Sequence, residues 1–154
     1  LGDVYKRQGL STMATTLKRL DFRQHYADYG QGLFIVSAEK RLPKDQATLN
    51  VGQKLGGALA PLSIAERKDR IASLMAEMVA PNSAVTLTHI EVLFTPYLDL
   101  DVIGALASLC RNRKICIVWP GYISNGKAYY SEHSVPEYYE GDLSLFQETY
   151  IIND

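Results

Sequence analysis

Three groups of residues in this chain have the types and spacing that chemistry requires. His133 and Glu137 stand four apart, a spacing that on a helix would put an imidazole and a carboxylate side by side for metal or acid–base work. Pro136 between them breaks helical spacing, and no third ligand is in view. With Tyr129, Tyr130, Tyr138 and Tyr139 they read better as a polar, aromatic segment that docks a partner, since tyrosine is enriched at interfaces. The second group, Arg111, Asn112 and Arg113, falls at the end of an expected helix. Cations there complement the helix dipole, and with Lys114 they make a small basic patch, far short of a nucleic-acid footprint. The third is Glu91, a loop carboxylate that could orient a water but reads more simply as a surface or capping group. Cys110 and Cys116 lack the C-x-x-C spacing of a metal or redox site and read as small core residues in a reducing cytoplasm. There is no nucleophile elbow, no Cys–His spacing and no defensible carboxylate pair.

The elements that must position these groups centre on residues 83–122. Ala84–His89 and Lys114–Trp119 are apolar on nearly every residue, as strands buried on both faces of a parallel sheet are. Asp101–Arg111 reads as the helix between them. Trp119-Pro120-Gly121 lies just past the carboxyl end of the second strand, the side of an open α/β sheet where ligands bind, so Trp119 is either core or an interface anchor. Upstream, periodicity predicts a helix over Thr15–Tyr29, ended by Gly30-Gln31-Gly32, then a buried strand over Leu33–Ala38 and a short one over Ala47–Val51. Gly52, Gly56 and Gly57 leave the next stretch between a loose helix and a turn. Ser63 opens a helix with a capping box, Ser63 to Glu66, that Pro81-Asn82 stops. Lys127–Ser131 and Glu148–Ile152 read as further strands. The sum is a three-layer α/β domain around a mostly parallel sheet, with antiparallel strands at its C-terminal edge.

The 154 residues are 47% hydrophobic and 21% charged with a net charge of -1, which argues against a nucleic-acid coat. No apolar run approaches the roughly 18 residues of a membrane helix. The opening LGDVYKRQ resembles a translated sequencing adapter, so residues 1–12 are expected to be non-native, with Met13 as the start and 13–154 forming one domain.

Several separated motifs, in order, carry a family resemblance. They are Thr88-His89-Ile90-Glu91-Val92-Leu93-Phe94, Cys110-Arg111-Asn112-Arg113, Trp119-Pro120-Gly121, and the run from Tyr130 to Tyr138 with its His133 and Pro136-Glu137-Tyr138. Together with LNVGQKL they make residues 49–140 resemble BrxF, the small P-loop protein of type 3 BREX phage-defence systems. The resemblance implies an α/β sheet of P-loop NTPase type. It also implies a bacterial, cytoplasmic setting beside other subunits of the system, a methyltransferase and larger ATPases, with DNA contact through the complex.

The departures from that family bear on activity. A P-loop needs G-x-x-x-x-G-K-[ST] after the first strand, where backbone N–H groups wrap phosphate, Lys reaches the terminal phosphates and the hydroxyl binds magnesium. Here LFIVSA is followed by EKRLPKDQ, with no glycine and with Glu39 and Asp45, and the eight residues 39–46 are too few for a helical crossover of about 10–12. Lys40 and Lys44 read as solvated loop charges. Thr88 stands where the family has the aspartate that holds magnesium. The expectation is therefore a P-loop-like fold truncated after its first strand, serving as a non-catalytic accessory subunit through protein contacts at Trp119, Pro120, Gly121, His133, Glu137 and Tyr138. No cofactor or metal is expected, with ATP and magnesium only if the missing loop is an artefact of the sequence. Two alternatives stand beside it. One is an ATP-binding switch or weak ATPase using Glu91, Arg111, Asn112 and Arg113, and the other is a nucleic-acid-contacting module using Arg111, Arg113 and Lys114.

Overall fold

The computed structural model describes residues 15–37 and 42–153. The expected extension, Met13, Glu39 and Lys40 lie outside them. The strands are β1 (Thr15–Lys18), β2 (Gly32–Val36), β3 (Ala47–Asn50), β4 (Ala84–Thr88), β5 (Lys114–Val118), β6 (Tyr122–Ser124), β7 (Lys127–Tyr130), β8 (Tyr139–Asp142) and β9 (Thr149–Asn153). The helices are α1 (Arg19–His25), α2 (Val51–Leu59), α3 (Ile64–Val79) and α4 (Val102–Ser108). Among the described residues no helix is long and apolar enough to cross a membrane.

Six strands form one sheet in the order β1-β9-β2-β5-β4-β3, every pairing parallel. β6, β7 and β8 form a separate antiparallel sheet. The expected mixed edge is thus corrected. β9 pairs parallel on both sides, between β1 and β2, and the antiparallel strands are folded away from the main sheet.

The two faces of the sheet are unequal. Leu33, Ile35, Val85, Leu87, Ile115 and Ile117 point to the face covered by α2, α3, α4 and the small sheet, where Ala128 and Leu143 are buried. Phe34, Val36 and Cys116 point to the other, covered by Phe22 of α1, Tyr26, Tyr29 and Leu42. The split follows from chain direction. From β3 through β4 and β5 to β9 the chain moves one way along the sheet, and from β1 to β2 to β3 it moves the other. Right-handed connections then place the first set on one face and the second set on the opposite one.

The connection that leaves β2 leads across the sheet to β3. β2 and β3 lie three strand spacings apart, about 14 Å. The described residues between them, Ser37 and 42–46, contain no helix. Gln46 holds the end of this link, accepting a 2.8 Å hydrogen bond from the Tyr26 hydroxyl and donating a 3.0 Å bond to Thr86 Oγ1.

Local rules account for most helices. Ser63 and Glu66 form the expected capping box, at 3.2 and 3.0 Å. Asn50 caps α2 through the Gln53 amide, which settles the glycine-rich stretch as a helix. The expected helix over Thr15–Tyr29 is corrected. Its first four residues are β1, because pairing with β9 satisfies their backbone and packs Leu17 against the second core, which outweighs the helical period.

Candidate functional site

In a parallel sheet, ligands settle outside the carboxyl ends of adjacent strands whose onward connections leave on opposite faces. Here those strands are β2 and β5. A cleft of about 510 Å³ opens there, lined by Ile35 and Ser37 of the β2 end, Trp119 and Gly121 after β5, and Ile151 and Asn153 of β9. Its outer wall is the β6–β7 hairpin, with Tyr122, Ile123, Asn125 and Gly126.

A short local code builds that wall. Asn125 and Gly126 both have positive φ, at 52° and 74°, and join β6 to β7 as a two-residue turn. Both central residues of a type I′ turn need that conformation, which Asn and Gly adopt most readily. The Trp119 indole then anchors the hairpin from within. It is 3% exposed, donates 2.9 Å to the Tyr129 carbonyl and meets Phe94 edge-on at 5.5 Å. Of the two readings of Trp119, the side chain's position is that of a core residue. Gly121 passes so close to the Tyr129 carbonyl that a Cβ could not be accommodated. Pro120 is half-buried between them.

The described residues lining the cleft offer hydroxyls, amides and apolar groups, with no carboxylate, imidazole, thiol or cation among them. The described part of that wall offers hydrogen-bonding and apolar contacts to a ligand. At the end of β4, Thr88 is 7% exposed, and its hydroxyl donates to the Leu49 carbonyl at 3.4 Å and shares a 3.0 Å hydrogen bond with His89 Nδ1. Glu91 is exposed, on a 3₁₀ turn over Ile90–Phe94. Its charge lies near enough to Tyr130 to help burial raise that phenol's pKa.

Arg111, Asn112 and Arg113 lie at the other end of the sheet. They precede the first residue of β5, which puts them about 16 Å from the cleft, five residues at roughly 3.3 Å each. Arg113 is engaged by the fold, donating from Nε to the Asn82 carbonyl at 2.7 Å and from Nη1 to the Leu109 carbonyl at 2.9 Å. The Asn112 amide donates to Gln31 Oε1 at 2.7 Å. Arg111 is exposed. Lys114 donates to the Tyr26 carbonyl and lies 4.2 Å from the centre of that ring, on the second face. The basic run is therefore dispersed rather than gathered into a patch.

His133 and Glu137 are not on a helix. His133 stacks on Tyr138 at 4.2 Å, and the Tyr138 hydroxyl donates to Glu140 at 3.1 Å. Glu137 and Tyr138 line a smaller cleft of about 170 Å³ with Phe94, Asp99 and Tyr139. The Tyr139 hydroxyl points inward, donating to Asp101 Oδ1 at 2.6 Å and accepting from the Ile103 amide at 2.9 Å. Among the described residues no group of three or more His, Cys, Asp or Glu could hold a metal ion. Cys110 and Cys116 are free and buried, and burial pushes their thiols up to about 12 and about 11, so neither is a nucleophile at neutral pH.

The sequence reading missed Tyr122 and the Asn125-Gly126 turn. The signal was present: an Asn-Gly pair between two short stretches that alternate in burial is the strongest local hairpin pattern. No protein-family model matches the chain, and no curated protein or solved structure matches it.

Proposed function

We propose that this protein is a P-loop-NTPase-like domain without its phosphate site, acting by protein contact as a non-catalytic accessory subunit of a BREX-type bacterial phage-defence system. The system assignment rests on the resemblance of residues 49–140 to BrxF. One observation carries the non-catalytic part. β2 delivers the chain to the switch point of the sheet, where a phosphate loop would stand, and the link from there to β3 has neither its glycines nor a following helix among the described residues. Two further features support it. Thr88 stands where the resemblance implies a magnesium-binding carboxylate and turns its hydroxyl to Leu49, and no cation is among the described residues lining the cleft.

The test is calorimetric titration of the chain with ATP and magnesium, followed by co-purification with the other subunits of the defence system. The expected result is no heat at high micromolar nucleotide and stoichiometric retention by one of those subunits. Low-micromolar ATP binding would overturn the non-catalytic reading, and failure to associate with any subunit would overturn the assignment to the system.

A further inference from the structure

The smaller cleft joins two stretches that are far apart in the chain. One wall comes from the 3₁₀ turns after β4, with Phe94 and Asp99, and the other from the segment entering β8, with Glu137, Tyr138 and Tyr139. Both walls are fixed by the fold. Tyr130 stacks on Phe94 at 3.9 Å with 8° between their planes, and it pairs in register with Tyr139. The Tyr139 hydroxyl is in turn tied to Asp101 and to the Ile103 amide at the start of α4. The space between the walls is about 170 Å³. That is below the roughly 300–1,000 Å³ of sites that enclose a small-molecule ligand, and it suits the head of a single side chain.

Charge says which side chain. Residues 90–101 and 128–147, which supply the two walls, hold three and four carboxylates and neither a lysine nor an arginine. Three of these are engaged: Asp101 accepts from Tyr139, Glu140 pairs with Lys127 at 3.3 Å, and Asp142 accepts from Ser144. Asp99 and Glu137 are not. Both are exposed, both line the cleft, and neither carboxylate makes a hydrogen bond or ion pair among the described residues. Arg67, which reaches Tyr97 on the turn between Phe94 and Asp99, is held by that hydroxyl and by the Leu59 and Leu62 carbonyls. Tyr130 feels the resulting field: burial raises its phenol's pKa, and Glu91 and Glu137 push it further the same way. Two free carboxylates on opposite walls, with rings between them, call for a cation. A phosphate backbone would be repelled, and two carboxylates fall short of the about six to eight oxygens calcium takes. A guanidinium fits best, because its fork of donors can meet two carboxylates while its plane lies on a ring.

We propose that the cleft between Asp99 and Glu137 is a docking pocket for one arginine side chain of a protein partner, its charge held by the two carboxylates beside the rings of Phe94, Tyr138 and Tyr139. This deepens the accessory-subunit reading and rests on it for the existence of a partner, but the pocket can be tested alone. The experiment is amide chemical-shift titration of the ¹⁵N-labelled chain with three probes: acetyl-arginine methylamide, its uncharged isostere acetyl-citrulline methylamide, and magnesium chloride. The arginine compound is expected to shift residues 93–100 and 136–139. It should bind about five-fold more tightly than the citrulline compound, as a partly exposed ion pair beside a ring would. Asp99→Asn and Glu137→Gln keep the side-chain shapes, and asparagine tolerates the left-handed backbone of Asp99, at φ 46°. Each substitution should weaken the arginine compound several-fold and leave the rest of the spectrum unchanged. Equal binding of the arginine and citrulline compounds, shifts only outside the cleft, or undiminished binding in both variants would each overturn the proposal. So would magnesium shifting the same amides at a lower concentration than arginine. ATP binding or failed co-purification counts against the accessory-subunit reading alone, so the two failures are distinguishable.

Discussion

Replacing Gly121 with alanine should unlatch the hairpin that walls the cleft and carries the exposed tyrosines. The ideal Cβ falls inside the contact distance of the Tyr129 carbonyl oxygen and within 3.1 Å of Trp119 Nε1. The first obstacle is backbone, which cannot swing aside as a side chain can, so β7 must move away from Trp119. That movement costs overpacking strain of about 1–3 kcal/mol. It also stretches the Trp119-to-Tyr129 hydrogen bond, worth about 0.5–1.5 kcal/mol. A loss of about 3 kcal/mol in a chain of this size lowers Tm by roughly 6–12 °C. Gly57 provides the control. It is exposed within α2, and a Cβ there meets nothing within 4 Å. Gly57→Ala should therefore stabilise by about 0.5–1 kcal/mol, because glycine inside a helix loses more chain entropy than alanine. Urea unfolding followed by circular dichroism, with tryptophan fluorescence reporting Trp119, measures both. Equal stability of Gly121→Ala and the parent would refute the steric argument and the role of Gly121 in setting the hairpin.

Three other outcomes are expected. Cys110 and Cys116 ionise far less readily when folded than the ordinary thiol near 9.0, owing to burial, so the unfolded chain loses its thiol protons first as pH rises. Their contribution is complete below about pH 9 and falls above it by up to roughly 1.4 kcal/mol per thiol per pH unit; urea midpoints at about pH 8.5 and 9.5 will show the slope, and Cys116→Ala should reduce it. Ser63→Ala removes the hydroxyl that accepts from the Glu66 amide at 3.2 Å and should cost about 1 kcal/mol in thermal unfolding. Tyr139→Phe deletes a hydroxyl that bonds both Asp101 and the Ile103 amide, and should cost about 1–3 kcal/mol, with faster hydrogen exchange at Ile103 as the local readout.

Much of the fold was legible because short-range rules govern it. Val85 to Thr88 and Ile115 to Ile117 are buried on both faces, and only strands inside a covered parallel sheet can afford that composition. The capping box at Ser63 was equally plain, since it depends on residues a few positions apart. β1 was not legible. Residues 15–18 have a helical period, and only β9, more than a hundred positions away, makes them a strand.

The candidate site divides in the same way. The sequence alone determined that residues 37–46, after the first buried strand, hold no glycine and that His133 and Glu137, with Pro136 between them, share no helix. These follow from side-chain chemistry and the rigidity of proline. Only the tertiary structure decided that Arg113 is engaged by carbonyls about 16 Å from the cleft, that Trp119 is core, and that Tyr122, stacked on Tyr129, stays exposed. Those outcomes depend on strand order and register, which come from burying two unequal faces of one sheet at once. That is a property of the whole chain, and no local stretch of residues encodes it.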